Sequence, residues 1–236
     1  PELAPAPGAE SFLTLSYHAA AATELVPRGF EVGFDQLPLP VAAPAQPLLD
    51  RGTLAPLEVS EAADAVTVTG STFALVFDRA TGTIRSWRYR GIELIVSGPA
   101  PDFWRAPTDN DYGNRMPVRL AAWREAGARR AVQGLVATRI GPAEVRVDVE
   151  SVIPVGASRH TTRYTVLGSG EILVDVTFAP GAEGLPELPR FGMQLTLPRE
   201  FDTVTWLGRG PHESYADRKA GAPVGRYSGT VDEQFH

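Results

Sequence analysis

The chain of 236 residues contains no cysteine, which excludes disulfide bonds and thiolate metal sites. Neither His160 nor His212, among only four histidines, has a second histidine at a metal-ligand spacing. No apolar run approaches the roughly 20 residues of a membrane span, and no signal-peptide pattern opens the chain. Acidic residues outnumber basic ones by 28 to 22, giving a net charge of −6. We therefore expect neither a membrane nor a nucleic-acid partner, since phosphate neutralisation needs a basic surface.

Glycine and proline are abundant, at 23 and 21 residues, and favour many short strands joined by turns. Several segments alternate apolar and polar residues, as half-buried strands do. The predicted strands are 12–17, 29–34, 66–69, 73–77, 84–87, 92–96, 145–149, 163–166, 172–178, 191–197 and 203–207. The pattern predicts an all-β chain whose antiparallel sheets pack as a large sandwich. One short helix is predicted at Pro117–Gly127, because proline suits a first helical position and glycine the residue past the end.

Four prolines within residues 38–47 predict an extended linker, because proline lacks an N–H donor and stiffens the backbone. The predicted division is a β segment at 1–40, a Pro-rich linker at 41–55 and the sandwich at 56–236. Because the sequence starts at Pro1 without an initiator methionine and stops at His236 without a closing element, we expect an internal piece of a longer protein.

The run Phe103–Gly113 is too polar for a core strand and too aromatic for a solvated linker. Pro107 fixes φ and Gly113 can take a positive φ, so the run predicts a rigid, exposed loop, a common location for functional residues. Asp109 and Asp111 leave three interpretations open: turn formation, cation binding and acid–base catalysis. The twelve-residue spacing of a calcium loop is missing.

A second run of this character spans residues 206–218. Its Trp206, like Trp104 in the first run, is a candidate platform for a sugar ring, whereas Trp87 and Trp123 are expected in the core. His212 and Glu213 could act as base and acid in a sugar epimerase, and a plain loop position is the alternative. For His160 we expect a solvated or hydrogen-bonded position. The residues define no catalytic set on their own.

The two runs resemble the F-x-R-A-P-x-D-N-D-x-G and W-L-G-x-G-P-x-E-x-Y-x-D-R motifs of β-galactosidases of the glycoside hydrolase 2 class. Segments 12–17, 29–36 and 122–127 are also similar to this family, so the resemblance covers the chain from Glu10 onward. It implies that residues 1–40 are the last strands of an immunoglobulin-like domain. It also implies that residues 56–236 are the C-terminal "small chain" domain, a galactose-mutarotase-like supersandwich that lacks its last strands here.

The resemblance implies a retaining hydrolase of terminal β-D-galactosides, whose two glutamates would lie roughly 5 Å apart on a TIM barrel. That barrel would precede Pro1, so no catalytic or metal-binding residue is expected in this chain and the isolated fragment should be inactive. The chain would support the active site and assembly of the parent enzyme. An autonomous carbohydrate-binding or mutarotase-like module is the alternative.

The resemblance also implies partners and site residues. The partners would be the remaining domains of the parent and its β-galactoside substrate, in a cytoplasmic homo-oligomer for which Mg and Na are the candidate cofactors. The residues expected to border the substrate pocket are Asp109, Asn110, Asp111, Gly113, Asn114 and Arg115. The residues expected to support the two motifs are Trp104, Arg105, Trp206, Glu213, Tyr215, Asp217 and Arg218.

Overall fold

The computed structural model describes residues 3–234 and confirms an all-β fold in which helices are few and short. The strands are β1 (Phe12–His18), β2 (Glu31–Pro38), β3 (Glu58–Glu61), β4 (Ala65–Thr69), β5 (Phe73–Asp78), β6 (Thr83–Tyr89), β7 (Ile92–Glu93), β8 (Ser97–Asp102), β9 (Ala131–Gly141), β10 (Glu144–Ile153), β11 (Ser158–Leu167), β12 (Ile172–Ala179), β13 (Gly192–Thr196), β14 (Thr203–Arg209) and β15 (Val224–Thr230). The helices are α1 (Asp109–Gly113) and α2 (Met116–Arg119), with 3-10 turns at Arg51–Thr53, Ala121–Trp123, Val155–Ala157, Lys219–Gly221 and Asp232–Gln234.

The described chain forms two compact units: unit 1, of residues 3–49 and 201–234, and unit 2, of residues 50–200. The separation between residues 49 and 50 falls inside the Pro-rich segment 41–55. Residues 201–234 group with the N-terminal segment, whereas the sequence prediction places them in one domain with residues 56–200. The domain boundaries given from the sequence stay a prediction. The first and last predicted domains include residues 1–2 and 235–236, which lie outside the described residues.

Unit 2 is built on two antiparallel sheets, ordered β3-β4-β5-β6-β7 and β12-β11-β10-β9. The inward side chains of both sheets meet in one core, as a sandwich requires. In β10, Val145, Val147 and Val149 are buried while Arg146 and Asp148 stay half-buried, so the period-2 pattern is confirmed.

A second core lies beside the sandwich in unit 2. Its buried side chains are Phe103, Met116, Leu120, Trp123, Ala126 and Ile153, with Trp104, Val155, Phe178 and Leu185 packed at its edge. The two-stranded antiparallel sheet of β8 and β13 leads into it, because Phe103 directly follows β8. The second core therefore fixes the start of the Phe103–Gly113 motif.

Unit 1 consists of two antiparallel hairpins, β1–β2 and β14–β15. The Gln36 side chain joins them: its Nε2 donates to the Val224 carbonyl at 2.9 Å, and its Oε1 accepts from the Val224 N–H at 2.7 Å. The amide thus pairs with β15 much as a neighbouring strand would. The predicted strands 12–17 and 203–207 are confirmed within these hairpins, and β2 begins two residues later than predicted.

Four sequence predictions differ from the structure. The helix predicted over Pro117–Gly127 is replaced by α2 and a 3-10 turn, and α1 forms where a loop was expected. Burial of the Trp123 ring, whose Nε1 donates to the Pro186 carbonyl at 3.0 Å, outweighs helix propensity in so short a segment. The strand predicted at 92–96 shortens to two residues, and in 191–197 Phe191, Leu195 and Leu197 are about half exposed rather than buried.

Candidate functional site

The first motif is held by an ion pair between Arg105 and Asp111 in unit 2. Arg105 Nη2 donates to Asp111 Oδ1 at 2.9 Å, and Nη1 donates to Oδ2, so the pair is bidentate. Asp111 is 7% exposed, whereas Asp109 is exposed. Of the two aspartates of the motif, Asp111 is thus the one held in this buried, bidentate pair.

The same carboxylate closes the first turn of α1. Thr108 is the N-cap, and its N–H donates to Asp111 Oδ2 at 2.8 Å while the Asp111 N–H donates back to Thr108 Oγ1 at 3.4 Å. This capping box explains why five residues become helical where a loop was expected. The Arg105 guanidinium and the Thr108 N–H hold the pKa of the Asp111 carboxyl well below its ordinary value, so the group stays ionised.

Other contacts fasten the motif to its surroundings. Arg105 Nε donates to the Pro189 carbonyl at 3.2 Å, which joins the motif to the segment before β13. The Arg124 guanidinium lies over the Trp104 ring, 4.9 Å from its centroid. Phe103 is 1% exposed and contacts the rings of Trp123 and Phe178 at centroid distances of 5.6 and 5.9 Å. The half of the motif that precedes α1 is therefore a rigid anchor.

The exposed residues of α1, together with the two residues that follow it, are here called the tip. It consists of the exposed residues Asp109, Asn110, Tyr112, Gly113, Asn114 and Arg115. Arg115 adopts a left-handed backbone, with φ at 62°, between α1 and α2. Five of the six residues expected to border a substrate pocket thus share one exposed segment. The sixth, Asp111, is buried and positions the others, and Met116, which follows Arg115, is buried in the second core.

The second motif lies in unit 1. Trp206, on β14, packs against Tyr227 of β15 with ring centroids 5.5 Å apart, and its Nε1 donates to the Arg209 carbonyl at 3.1 Å. Beyond β14 the chain from Pro211 to Ala220 is exposed, including His212, Glu213, Tyr215, Asp217 and Arg218. Arg218 Nη1 lies 3.5 Å from Glu213 Oε1, and Arg209 Nη1 donates to the Lys219 and Ala222 carbonyls.

His160 is placed differently from the sequence expectation. It is 1% exposed, its ring contacts Phe103 edge-on at a centroid distance of 5.9 Å, and its Nε2 has no hydrogen-bond partner among residues 3–234. Burial, with the nearby Arg130 charge, lowers the pKa of His160 from 6.5 to about 4. The solvated or hydrogen-bonded position expected for it is wrong, because β11 directs it into the second core.

Two residues of the candidate site were not singled out from the sequence. Thr108 closes the capping box, and the T-x-x-D spacing of Thr108 and Asp111 could have indicated it. Tyr112 is 63% exposed at the centre of the tip, and only its position between Asp111 and Gly113 could have suggested that.

In the part of the chain that the structure describes, no three or more His, Cys, Asp or Glu side chains group as a metal site. Its helices are all too short or too polar to cross a membrane.

Three known proteins that resemble this chain in sequence all carry the name Beta-galactosidase. The chain is 38% identical to a protein named Beta-galactosidase of Priestia megaterium over 225 residues, 95% of this chain and 21% of that protein. It is 33% identical to a Beta-galactosidase of Streptococcus thermophilus over 216 residues, 91% of this chain and 20% of that protein. A Beta-galactosidase of Clostridium acetobutylicum is 32% identical over 221 residues, 94% of this chain and 24% of that protein.

The family model described as Beta galactosidase small chain matches residues 69–236. The chain therefore belongs to the beta galactosidase small chain family, and the resemblance inferred from the two motifs is confirmed. Both motifs lie inside the matched residues. The chain spans about a fifth of the length of the curated relatives it matches.

Replacing Arg105 by alanine should destabilise unit 2, because Asp111 would keep its charge in a buried position without its partner. We expect the Tm to fall by roughly 5 °C, the scale of losing a buried charged hydrogen-bond partner in a domain of this size. Thermal unfolding followed by tryptophan fluorescence measures this. Arg119→Ala is the matched control, because Arg119 pairs with Glu187 at an exposed position, where ion pairs contribute little. Equal losses in both variants would contradict the anchoring role of Arg105.

The buried His160 predicts that mild acid destabilises unit 2. Between pH 6.5 and about 4 the unfolded chain binds a proton on this imidazole that the folded chain does not, so stability falls as the pH falls. Urea unfolding at pH 7 and pH 4.5 should show a lower midpoint at pH 4.5. In His160→Phe the difference between the two midpoints should shrink, because this imidazole no longer contributes to it. A smaller difference should remain, since the carboxylates and the exposed His18 and His212 are present in both proteins. An undiminished difference would rule out His160 as its source.

Proposed function

We propose that this chain is the non-catalytic C-terminal part of a retaining β-galactosidase that hydrolyses terminal β-D-galactosides. Its role is to support the active-site architecture of the parent by shaping and closing a sugar pocket, while the reacting groups lie in other domains. Family membership and the name shared by the three relatives support this proposal. The relatives are about five times longer than the chain, which leaves room for a catalytic domain elsewhere.

The observation that carries the proposal is the contrast between the two halves of the first motif. The side chains of Arg105, Thr108 and Asp111 hydrogen-bond to one another, and Arg105 also donates to the Pro189 carbonyl. Asn110 and Asn114, in contrast, keep their side-chain amides free of hydrogen bonds within residues 3–234. Polar side chains held out on a rigid base are poised to contact another domain or a hydroxyl-rich ligand. We assign the tip to the border of the galactoside pocket of the parent.

The carboxylates of the motif do not suit the chemistry of a retaining glycosidase. Such an enzyme needs a nucleophile and an acid/base carboxyl roughly 5 Å apart, one of which must hold a proton at working pH. Asp111 is engaged on both oxygens and its lowered pKa keeps it ionised, so it cannot donate a proton. Asp109 is exposed and lacks a desolvated setting. We therefore assign the catalytic pair to two glutamates of the parent outside this chain.

The remaining features of the parent are proposed on the resemblance alone. Its other domains are the partners of this chain, and we propose a cytoplasmic homo-oligomer. On the same basis we propose that any Mg and Na ions used by the parent are held by residues outside this chain.

The purified chain should not hydrolyse o-nitrophenyl β-galactoside above the uncatalysed rate, because the two aspartates of its first motif do not form a suitable carboxylate pair. Release of o-nitrophenol is followed at 420 nm, with the parent enzyme as the positive control. Turnover that rises in proportion to chain concentration, and that Asp109→Asn or Asp111→Asn abolishes, would place catalysis in this chain and contradict the proposal.

A further inference from the structure

The second motif encloses a cleft in unit 1 that has no part in the role proposed for the tip. The cleft has a volume of about 500 Å³ and is lined by Trp206, Arg209, Pro211, His212, Glu213, Ser214, Lys219 and Gln234. It combines one large aromatic side chain with a carboxylate, an imidazole, a hydroxyl and an ammonium group. From this combination we infer an accessory carbohydrate site, in which the Trp206 indole packs on the apolar face of a pyranose ring and Glu213 and Lys219 bind its hydroxyls.

The indole is positioned before any ligand arrives. Its N–H donates to the Arg209 carbonyl, and Tyr227 supports it at a centroid distance of 5.5 Å with the two rings inclined by 32°. Tyr227 is itself fixed, because its hydroxyl donates to the Pro223 carbonyl at 2.8 Å and its ring lies against Gly210 and Gly225. A Cβ at Gly210 would come within 2.6 Å of that ring. Fixing the platform in advance lowers the entropy lost on binding.

The polar wall of the cleft is also arranged by the protein. Arg209 Nη1 donates to the Lys219 carbonyl at 2.7 Å and to the Ala222 carbonyl at 2.8 Å, which holds the turn that carries Lys219. One nitrogen of the Arg209 guanidinium is thereby bonded to backbone carbonyls. Glu213 meets Arg218 only through an exposed contact of 3.5 Å, which is weak, so its carboxylate can accept hydroxyl hydrogen bonds.

The chemistry of the cleft favours a neutral sugar. Glu213 and Lys219 offset each other in charge, one accepts and the other donates, and a hydroxyl can do both. An aromatic face beside a few polar groups is a usual composition for a site that binds a ring with one apolar face. Trp104, the other candidate platform from the sequence, is less suitable because Arg124 already lies over its ring.

Fluorotryptophan labelling of the chain tests this assignment directly. Of the four tryptophans only Trp206 belongs to unit 1, and Trp206→Phe identifies its ¹⁹F resonance by the signal that disappears. Lactose and cellobiose are the ring-containing probes, and glycerol is the control for a polyol without a ring. We expect a saturable shift of the Trp206 resonance with both disaccharides, at a Kd of about 1–10 mM, and none with glycerol.

Two substitutions at exposed residues separate the cleft from other surfaces. Glu213→Gln should weaken disaccharide binding by about tenfold, whereas Glu24→Gln, on an exposed segment of the same unit, should leave it unchanged. Three results would each overturn the assignment. They are a Trp206 shift that does not saturate, a shift confined to Trp87, Trp104 or Trp123, and unchanged affinity in Glu213→Gln. The test measures binding and not hydrolysis, so its outcome is independent of the function proposed for the parent.

Discussion

Replacing Phe103 by alanine should destabilise unit 2 by about 3–5 kcal/mol, the usual cost of removing a buried phenylalanine ring. Phe103 is 1% exposed and contacts Trp123, His160, Phe178 and Phe191 at ring-centroid distances between 5.6 and 6.2 Å. No other side chain of the second core contacts so many rings. Because the motif begins at this residue, the cavity would also loosen the anchor that carries Arg105.

Urea unfolding followed by tryptophan fluorescence measures this loss, since three of the four tryptophans belong to unit 2. Tyr112→Ala is the matched control, because it removes an aromatic ring from the same motif at a position that is 63% exposed. We expect the control to change stability by no more than about 0.5 kcal/mol. Comparable losses in the two variants would show that the second core does not determine the stability of unit 2.

The sequence predicted the fold best where periodicity and burial agree. Val145, Val147 and Val149 alternate with charged residues, and β10 buries those three valines. The prediction failed where tertiary contacts override local preference. Residues 97–102 form β8 although two prolines lower their strand propensity, and the Pro117–Gly127 segment bends to bury Trp123. Periodicity describes one segment at a time and does not reveal which distant residues pack against it.

The candidate site, like the fold, was predicted from the sequence only in part. The composition of the first motif predicted a rigid loop, and the ion pair of Arg105 with Asp111 holds its first part in place. Composition alone could not tell which aspartate is buried, because Asp109 and Asp111 have the same chemistry; only the T-x-x-D spacing from Thr108 sets Asp111 apart. Likewise, the burial of His160 follows from its register opposite Ser151 and Phe178, which only the assembled sheet defines.

Removing the polar side chains of the tip should impair the β-galactosidase proposed as the parent without destabilising this chain. The combined variant Asn110→Ala, Asn114→Ala and Arg115→Gly deletes three exposed side chains and leaves the ion pair of Arg105 and Asp111 intact. Glycine suits position 115, because the backbone there has a φ of 62°. If the tip closes the galactoside pocket, kcat/KM should fall by at least about tenfold, since small losses of substrate positioning have large effects on rate.

The steady-state kinetics of this variant in the parent enzyme show whether the tip closes the galactoside pocket. Gln133→Ala, an exposed polar substitution on β9, is the control and should leave kcat and KM unchanged. We predict a loss of kcat/KM on o-nitrophenyl β-galactoside in the tip variant alone, with an unfolding transition within about 2 °C of the wild type. Unaltered kcat and KM in a folded tip variant would show that the segment only connects α1 to α2 and does not close the pocket.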